Sequence, residues 1–249
     1  MNKYLVVISR YNDARQEAFD KYISPKNLKY CGQHNTEYIE VRNNYQFKEE
    51  RDNPIWQKFL YVKSMLDEGR LKDGDKITVL DADMVFAKFD FEYITEKSFS
   101  YAIDNGNTHC LGNYTISINE WSRRMIGLIL CPERYACNKN REIWTRWAEQ
   151  ASWYSLCGIK DHSWVPFFEL PNNGWHSNES INPVFSIEEL NENVEIRGPE
   201  WNTTLLEEEA NDSVSKSLMQ YNIVKSKKED TIIRHFGGGQ PWGAEYLLK

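Results

Sequence analysis

Apolar residues fall along the chain in short blocks, and the spacing inside each block predicts the element it forms. Tyr4 to Ile8 is an unbroken apolar run of strand length, which predicts a first strand covered on both faces. The polar stretch Ser9-Arg10-Tyr11-Asn12-Asp13 follows at its carboxyl end and leads into a helix from about Ala14 to Tyr22. In a doubly wound sheet such a loop is placed to hold a nucleotide; it serves equally as a plain helix start. Pro25 to Asn35 reads as irregular chain, and Glu37 to Val41 alternates like a second strand. Asp52-Asn53-Pro54 is a helix start, and Ile55, Phe59, Val62 and Leu66 then recur at helical spacing to about Gly69. Gly74 turns the chain into Ile77-Thr78-Val79-Leu80, a second run without polar alternation and so a second buried strand. A helix between successive strands predicts parallel pairing.

Beyond this point the blocks are more irregular. Val85 to Phe91 reads as extended chain and Ser98 to Ile103 as a strand. Arg124 to Cys131 contains Met-Ile-Gly-Leu-Ile-Leu and reads as a buried strand, with Gly127 marking a bulge or the close approach of a ligand or second backbone. Asn140 to Trp153 is a helix whose Ile143, Trp144, Trp147, Ala148 and Ala151 form one apolar face. Asp161-His162-Ser163-Trp164 opens a helical segment toward Phe168, with Asp161 suited either to acceptor hydroxyls or to an N-cap. Leu170 to Pro183 is a loop long enough to lie over a site, and Glu188 to Asn193 and Glu207 to Asp212 are acid-rich surface. A short strand at Thr231 to Ile233 delivers His235 to a run of three glycines. No linker or internal repeat interrupts the order, so the expectation is one α/β domain over residues 1–249, with a mostly parallel central sheet flanked by helices.

Composition narrows the function classes. The net charge of −7, with no basic block, argues against a nucleic-acid groove. No stretch approaches the length needed to span a bilayer, and the first apolar run is too short for a signal peptide, although peripheral membrane contact stays open. The five cysteines are scattered without a Cys-x-x-Cys pair, which argues against a zinc site and for reduced thiols in a cytoplasm. Nine tryptophans suit sugar or base platforms, and they fill cores equally well.

The candidate chemistry sits at the end of the second buried strand. Asp81 and Asp83 stand two apart just past its carboxyl end, where ligands of parallel sheets bind. In extended chain both carboxylates point to one side, and two anions about 5 Å apart repel by roughly 3 kcal/mol at an effective dielectric near 20. A hard divalent cation, Mg²⁺ or Mn²⁺, suits such a pair of oxygen ligands. His235 is a third candidate ligand, and the amides of Gly237, Gly238 and Gly239 could cradle phosphate oxygens. Lys58 and Lys63 on the preceding helix could reach a phosphate or could simply solvate an exposed face.

Together, Leu80-Asp81-Ala82-Asp83 and His235-Phe236-Gly237-Gly238-Gly239-Gln240-Pro241-Trp242 resemble the motifs of metal-dependent GT-A glycosyltransferases, especially the glycogenin-like and bacterial lipopolysaccharide galactosyltransferase group. That group carries an apolar strand ending in Asp-x-Asp and, near its C-terminus, His-Phe-x-Gly-x-x-Lys-Pro-Trp. The second motif is one residue shorter here, and Gln240 stands where the family has a phosphate-binding lysine. The resemblance implies a nucleotide-sugar-binding half over about residues 1–110 and an acceptor-side half over about 111–249. It implies transfer of a sugar from a nucleotide diphosphate-sugar to the hydroxyl of a glycan or other acceptor, with retained anomeric configuration. Asp81, Asp83 and His235 would hold the metal; Ser9, Arg10, Lys58, Lys63, the three glycines, Gln240 and Trp242 would face the donor; Asp161, with Asp83, would be catalytic. Two other readings compete. Asp81-Ala82-Asp83-Met84-Val85 also fits the nucleophile motif of haloacid-dehalogenase-type phosphatases, though no downstream Gly-Asp-x-x-x-Asp accompanies it. A non-catalytic nucleotide- or sugar-binding protein on a degenerate transferase fold is the other, since Gln240 cannot offset diphosphate charge.

Overall fold

The structure is a computed structural model that describes residues 1–9, 13–42, 56–104, 109–131, 141–159, 175–176, 182–204, 206 and 226–236, without the side chains of 9, 13–15 and 141–148. In chain order these residues form β1 (Lys3–Ser9), α1 (Asp13–Ala18), a π-helical turn (Phe19–Ile23), α2 (Ser24–Gln33), β2 (Glu37–Arg42), α3 (Gln57–Asp67), β3 (Lys76–Asp81), β4 (Met84–Phe86), β5 (Phe99–Ile103) and β6 (His109–Ser117). There follow α4 (Glu120–Ile129), α5 (Arg141–Cys157), α6 (Ile187–Asn193), β7 (Val194–Arg197), a 3₁₀ turn (Pro199–Trp201) and β8 (Ile233–His235).

Six strands make one sheet in the order β2-β1-β3-β6-β5-β7. β1 pairs in parallel with both β2 and β3, and β5 with β7, while β6 runs antiparallel to β3 and β5. The register aligns Tyr4 with Ile77, Val6 with Val79 and Val7 with Leu80. Because successive side chains point to opposite faces, this register sorts the two apolar runs into two cores. Tyr4, Val6, Ile77 and Val79 pack on one face with Phe59, Val62 and Met65 of α3 and with Tyr114 and Ile116. Leu5, Val7 and Leu80 pack on the other with Phe19, Ile23, Tyr30 and Phe86. Burial on both faces is the physical reason the runs lack polar alternation.

Several expectations change. Residues 124–131 are not a strand: 124–129 lie in α4 and Leu130 ends it, the helix being started by a reciprocal cap in which the Asn119 side chain accepts from Ser122 N–H at 2.9 Å and Ser122 Oγ accepts from Asn119 N–H at 2.9 Å. Ser122, Met125, Ile126 and Ile129 are its buried positions, a helical period that the contiguous apolar letters disguise. Gly127 is exposed on this helix, with nothing within 4 Å of where a Cβ would stand, so it marks no strand bulge and no close approach of a second backbone. Pro25 opens α2 in its first turn, where a missing N–H costs nothing, and residues 24–33 are helical rather than irregular. Acid-rich 188–193 lies within α6, whose one buried side chain is Leu190, and the sequence pattern gave no warning of β6. Trp153 of α5 is fully buried against Phe99, Tyr101 and Trp175, so it is core and not a sugar platform. Cys31, Cys110, Cys131 and Cys157 are free thiols, and among the described residues no helix is long and apolar enough to cross a membrane.

Candidate functional site

The site forms where β3 ends. Asp81 is its last residue, Ala82-Asp83 turns the chain out of the sheet, and Met84–Phe86 then pairs antiparallel with Ile233–His235 as a separate two-stranded ribbon. Met84 stands opposite His235, and the Phe236 N–H donates to the Asp83 carbonyl at 2.9 Å. This pairing brings an imidazole about 150 residues away in sequence to the acidic pair. One ligand atom from each of Asp81, Asp83 and His235 lies within 4.8 Å of the other two.

Each of the three is held by a group of its own. His235 Nδ1 lies 3.0 Å from Asn202 Oδ1, a contact that orients the ring and turns Nε2 toward the acids. That Nε2 is 3.5 Å from Asp83 Oδ1. Asp81 Oδ1 accepts from Lys58 Nζ at 2.7 Å, and the same ammonium donates to the Leu111 carbonyl at 2.8 Å and lies 3.1 Å from Glu149 Oε1. Burial pulls the Lys58 pKa down, and the carboxylates of Asp81 and Glu149 more than reverse this, leaving it raised. Burial pushes the Glu149 carboxyl up against the opposing pull of Lys58, to about 7. Part of the positive charge demanded by two close acids is therefore built into the chain.

Gly112 of β6 faces this arrangement. A Cβ there would collide with the terminal methyl of Met84 and stand 2.9 Å from Asp81 Oδ2. Gly112→Ala is expected to cost about 1–3 kcal/mol in urea denaturation, as overpacking does, and to weaken binding of Mn²⁺ by displacing the Asp81 carboxylate. An unchanged Mn²⁺ titration would show that Asp81 has room to spare.

Sequence-predicted residues fare differently. Asp81, Asp83 and His235 converge, and Ser9 ends β1 at the same sheet edge, Ile8 being in register with Asp81. Lys58 reaches the site: its side chain is only 6% exposed and its donors go to Asp81, Leu111 and Glu149. Lys63 stands elsewhere on α3. Five residues further along α3 is roughly 140° around the helix, and it pairs there with Asp67 at 2.6 Å on the exposed face. Arg10, Asp161, Gly237, Gly238, Gly239, Gln240 and Trp242, the side chain of Ser9, and the expected segments at 52–54, 161–168 and 207–212 lie outside the described residues. Sequence reasoning missed Asn202, Gly112 and Glu149. Of these only Glu149 left a signal, an acid beside the apolar face of a helix.

No protein-family model matches the sequence, and no curated protein does. Among solved structures, the chain is similar to a glycosyltransferase involved in glycosylation of the major capsid of PBCV-1, at 8% identity over 98% of this chain and 99% of that one, with a TM-score of 0.52. It also matches the galactosyltransferase LgtC in complex with donor and acceptor sugar analogs, at 12% identity over 98% and 94% of the two chains, with a TM-score of 0.36. A third match is the catalytic domain of Drosophila β1,4-galactosyltransferase 7 in complex with xylobiose, at 13% identity over 47% of this chain and 49% of that one, with a TM-score of 0.30. The first of these shows the fold: a GT-A-type α/β arrangement, as the order of elements in the sequence implied.

Proposed function

We propose that this chain, which has the GT-A fold, is a divalent-metal-dependent glycosyltransferase that moves a sugar from a nucleotide diphosphate-sugar to an acceptor hydroxyl, with retention of anomeric configuration. The observation that carries this reading is the convergence of Asp81, Asp83 and His235 within 4.8 Å at the carboxyl edge of the parallel strands. Two carboxylate oxygens and one imidazole nitrogen fit Mn²⁺ or Mg²⁺, with the imidazole favouring Mn²⁺. When bound, the cation supplies positive charge to the departing diphosphate.

The chain's own residues prepare that site. Lys58 fixes the rotamer of Asp81 and offsets part of the charge of the acidic pair. Asn202 orients the His235 ring and turns Nε2 toward the acids. Ser9, the last residue of β1, and Arg10, next in sequence, are assigned to the nucleotide; Gly237, Gly238, Gly239, Gln240 and Trp242, which come after β8 in sequence, are assigned to the diphosphate and donor. Asp161 is assigned to orienting donor or acceptor hydroxyls, and residues 1–249 act as one catalytic domain.

The test is a thermal-shift panel of nucleoside diphosphates and sugar nucleotides with and without Mn²⁺. Nucleotide at about 100 times its Kd stabilises by roughly 2.7 kcal/mol. That raises the Tm of a chain this size by roughly 5–10 °C. The shift should need the metal, and the best donor should be consumed when an acceptor is added. No shift with any nucleotide defeats the proposal; hydrolysis of an aryl phosphate in its place favours the phosphatase.

A further inference from the structure

A second charged site lies behind the ribbon. Met84 packs toward Gly112 and Asn113, and Phe86 stacks on Tyr30, while Val85 between them points the other way, as alternation along a strand requires. Val85, Ala87 and Leu206 wall a cavity of about 420 Å³ on that side, closed by Lys26 of α2, Lys88, Lys228, Glu229 and Thr231. This is within the volume range of small-molecule pockets.

Its charge is anomalous for this chain. A protein of net charge −7 collects three lysines around one cavity, and among the described residues none of their ammonium groups has an ion-pair partner. Burial first, then Lys228 and Lys29, lowers the pKa of Lys26, so these cations repel one another. Glu229 subtracts one charge and leaves two positive, the complement of a phosphate monoester dianion. The apolar wall leaves room for an organic part beyond the phosphate.

We propose that this cavity between α2 and the β4–β8 ribbon binds a phosphate monoester, with Lys26, Lys88 and Lys228 around the phosphate and the substituent against Val85, Ala87 and Leu206. The site is separate from the acidic cluster and does not depend on the glycosyl-transfer reading. Such a phosphate comes either from a soluble metabolite or from a lipid headgroup, and both offer the same dianion to the same lysines.

The test is calorimetric titration of the full chain with glycerol 3-phosphate at low salt and in a chelator, alongside flotation with phosphatidylcholine vesicles with and without phosphatidic acid. The expected result is binding that weakens about tenfold or more on Lys26→Ser combined with Lys228→Ser, falls as salt rises, and survives Asp83→Ala. Binding of the soluble ester identifies a metabolite site. Lysine-dependent flotation with phosphatidic acid alone identifies a headgroup site. Both lysines are at least partly exposed, so melting of the double variant should match the parent, and single Lys26→Ser provides a second reading. Equal binding by parent and double variant, or binding of neither probe by the parent, overturns the proposal.

Discussion

Replacing Asp83 or His235 by alanine should abolish the Mn²⁺-dependent nucleotide shift and lower sugar transfer by about 10²- to 10³-fold or more, the loss typical when one preorganised stabiliser of developing charge is removed. The same variants should not be unstable by themselves. Two carboxylates at the separation of this cluster repel by roughly 3 kcal/mol before Lys58 and the metal act, so Asp83→Ala removes a source of strain from the metal-free chain. In a chelator its Tm should therefore equal or exceed that of the parent, and in Mn²⁺ with nucleotide it should fall below it. This crossing separates groups kept for a ligand from groups kept for the fold. An Asp83→Ala protein that melts far below the parent in chelator, yet retains the metal-dependent shift, would remove the basis of the proposed activity.

The second large effect is on folding. Lys58→Met leaves Glu149 buried without its cation, and breaking a buried ion pair from one side costs about 3–5 kcal/mol, a Tm loss of roughly 6–20 °C for a chain this size. Adding Glu149→Gln should recover most of that loss, because the uncompensated charge goes with it; a double variant no more stable than Lys58→Met would place the cost in packing of the lysine stem. The pH dependence follows from Glu149. Its folded pKa of about 7 lies above the ordinary carboxylate value of 4.5, so the folded state holds the proton more tightly than the unfolded chain. That contribution is fully present below the ordinary value and is lost as pH rises toward about 7. Urea denaturation from pH 4 to 8 should show this decline in the parent, and Glu149→Gln should flatten it.

Much of the fold was legible because its physical cause is local. β1 and β3 declare themselves by apolar runs that have sheet neighbours on both sides and cores on both faces, and α3 by Phe59, Val62 and Leu66 at helical spacing. The acidic pair was legible for a related reason, since a strand of that kind must end at a ligand-facing edge. What failed was periodicity in short apolar blocks. Met125 to Leu130 is nearly all apolar, so a strand and a helix fit the letters equally; the Asn119–Ser122 cap and the faces of neighbouring elements made it helix. The pairs that depend on three-dimensional proximity were invisible, among them Lys58 with Glu149 and His235 with Asn202.

By itself, then, the chain's pattern of apolar and polar residues determined β1, β2 and β3, their parallel order and the edge at which two aspartates are available. Tertiary structure alone decided that these meet His235, which lysine of α3 touches them, and that Gly112 leaves them space. The physical reason is range. Strand and helix preferences act over a few residues, whereas the geometry of a metal site depends on which backbone pairs with which, and here that is settled by hydrogen bonds between Met84–Phe86 and Ile233–His235.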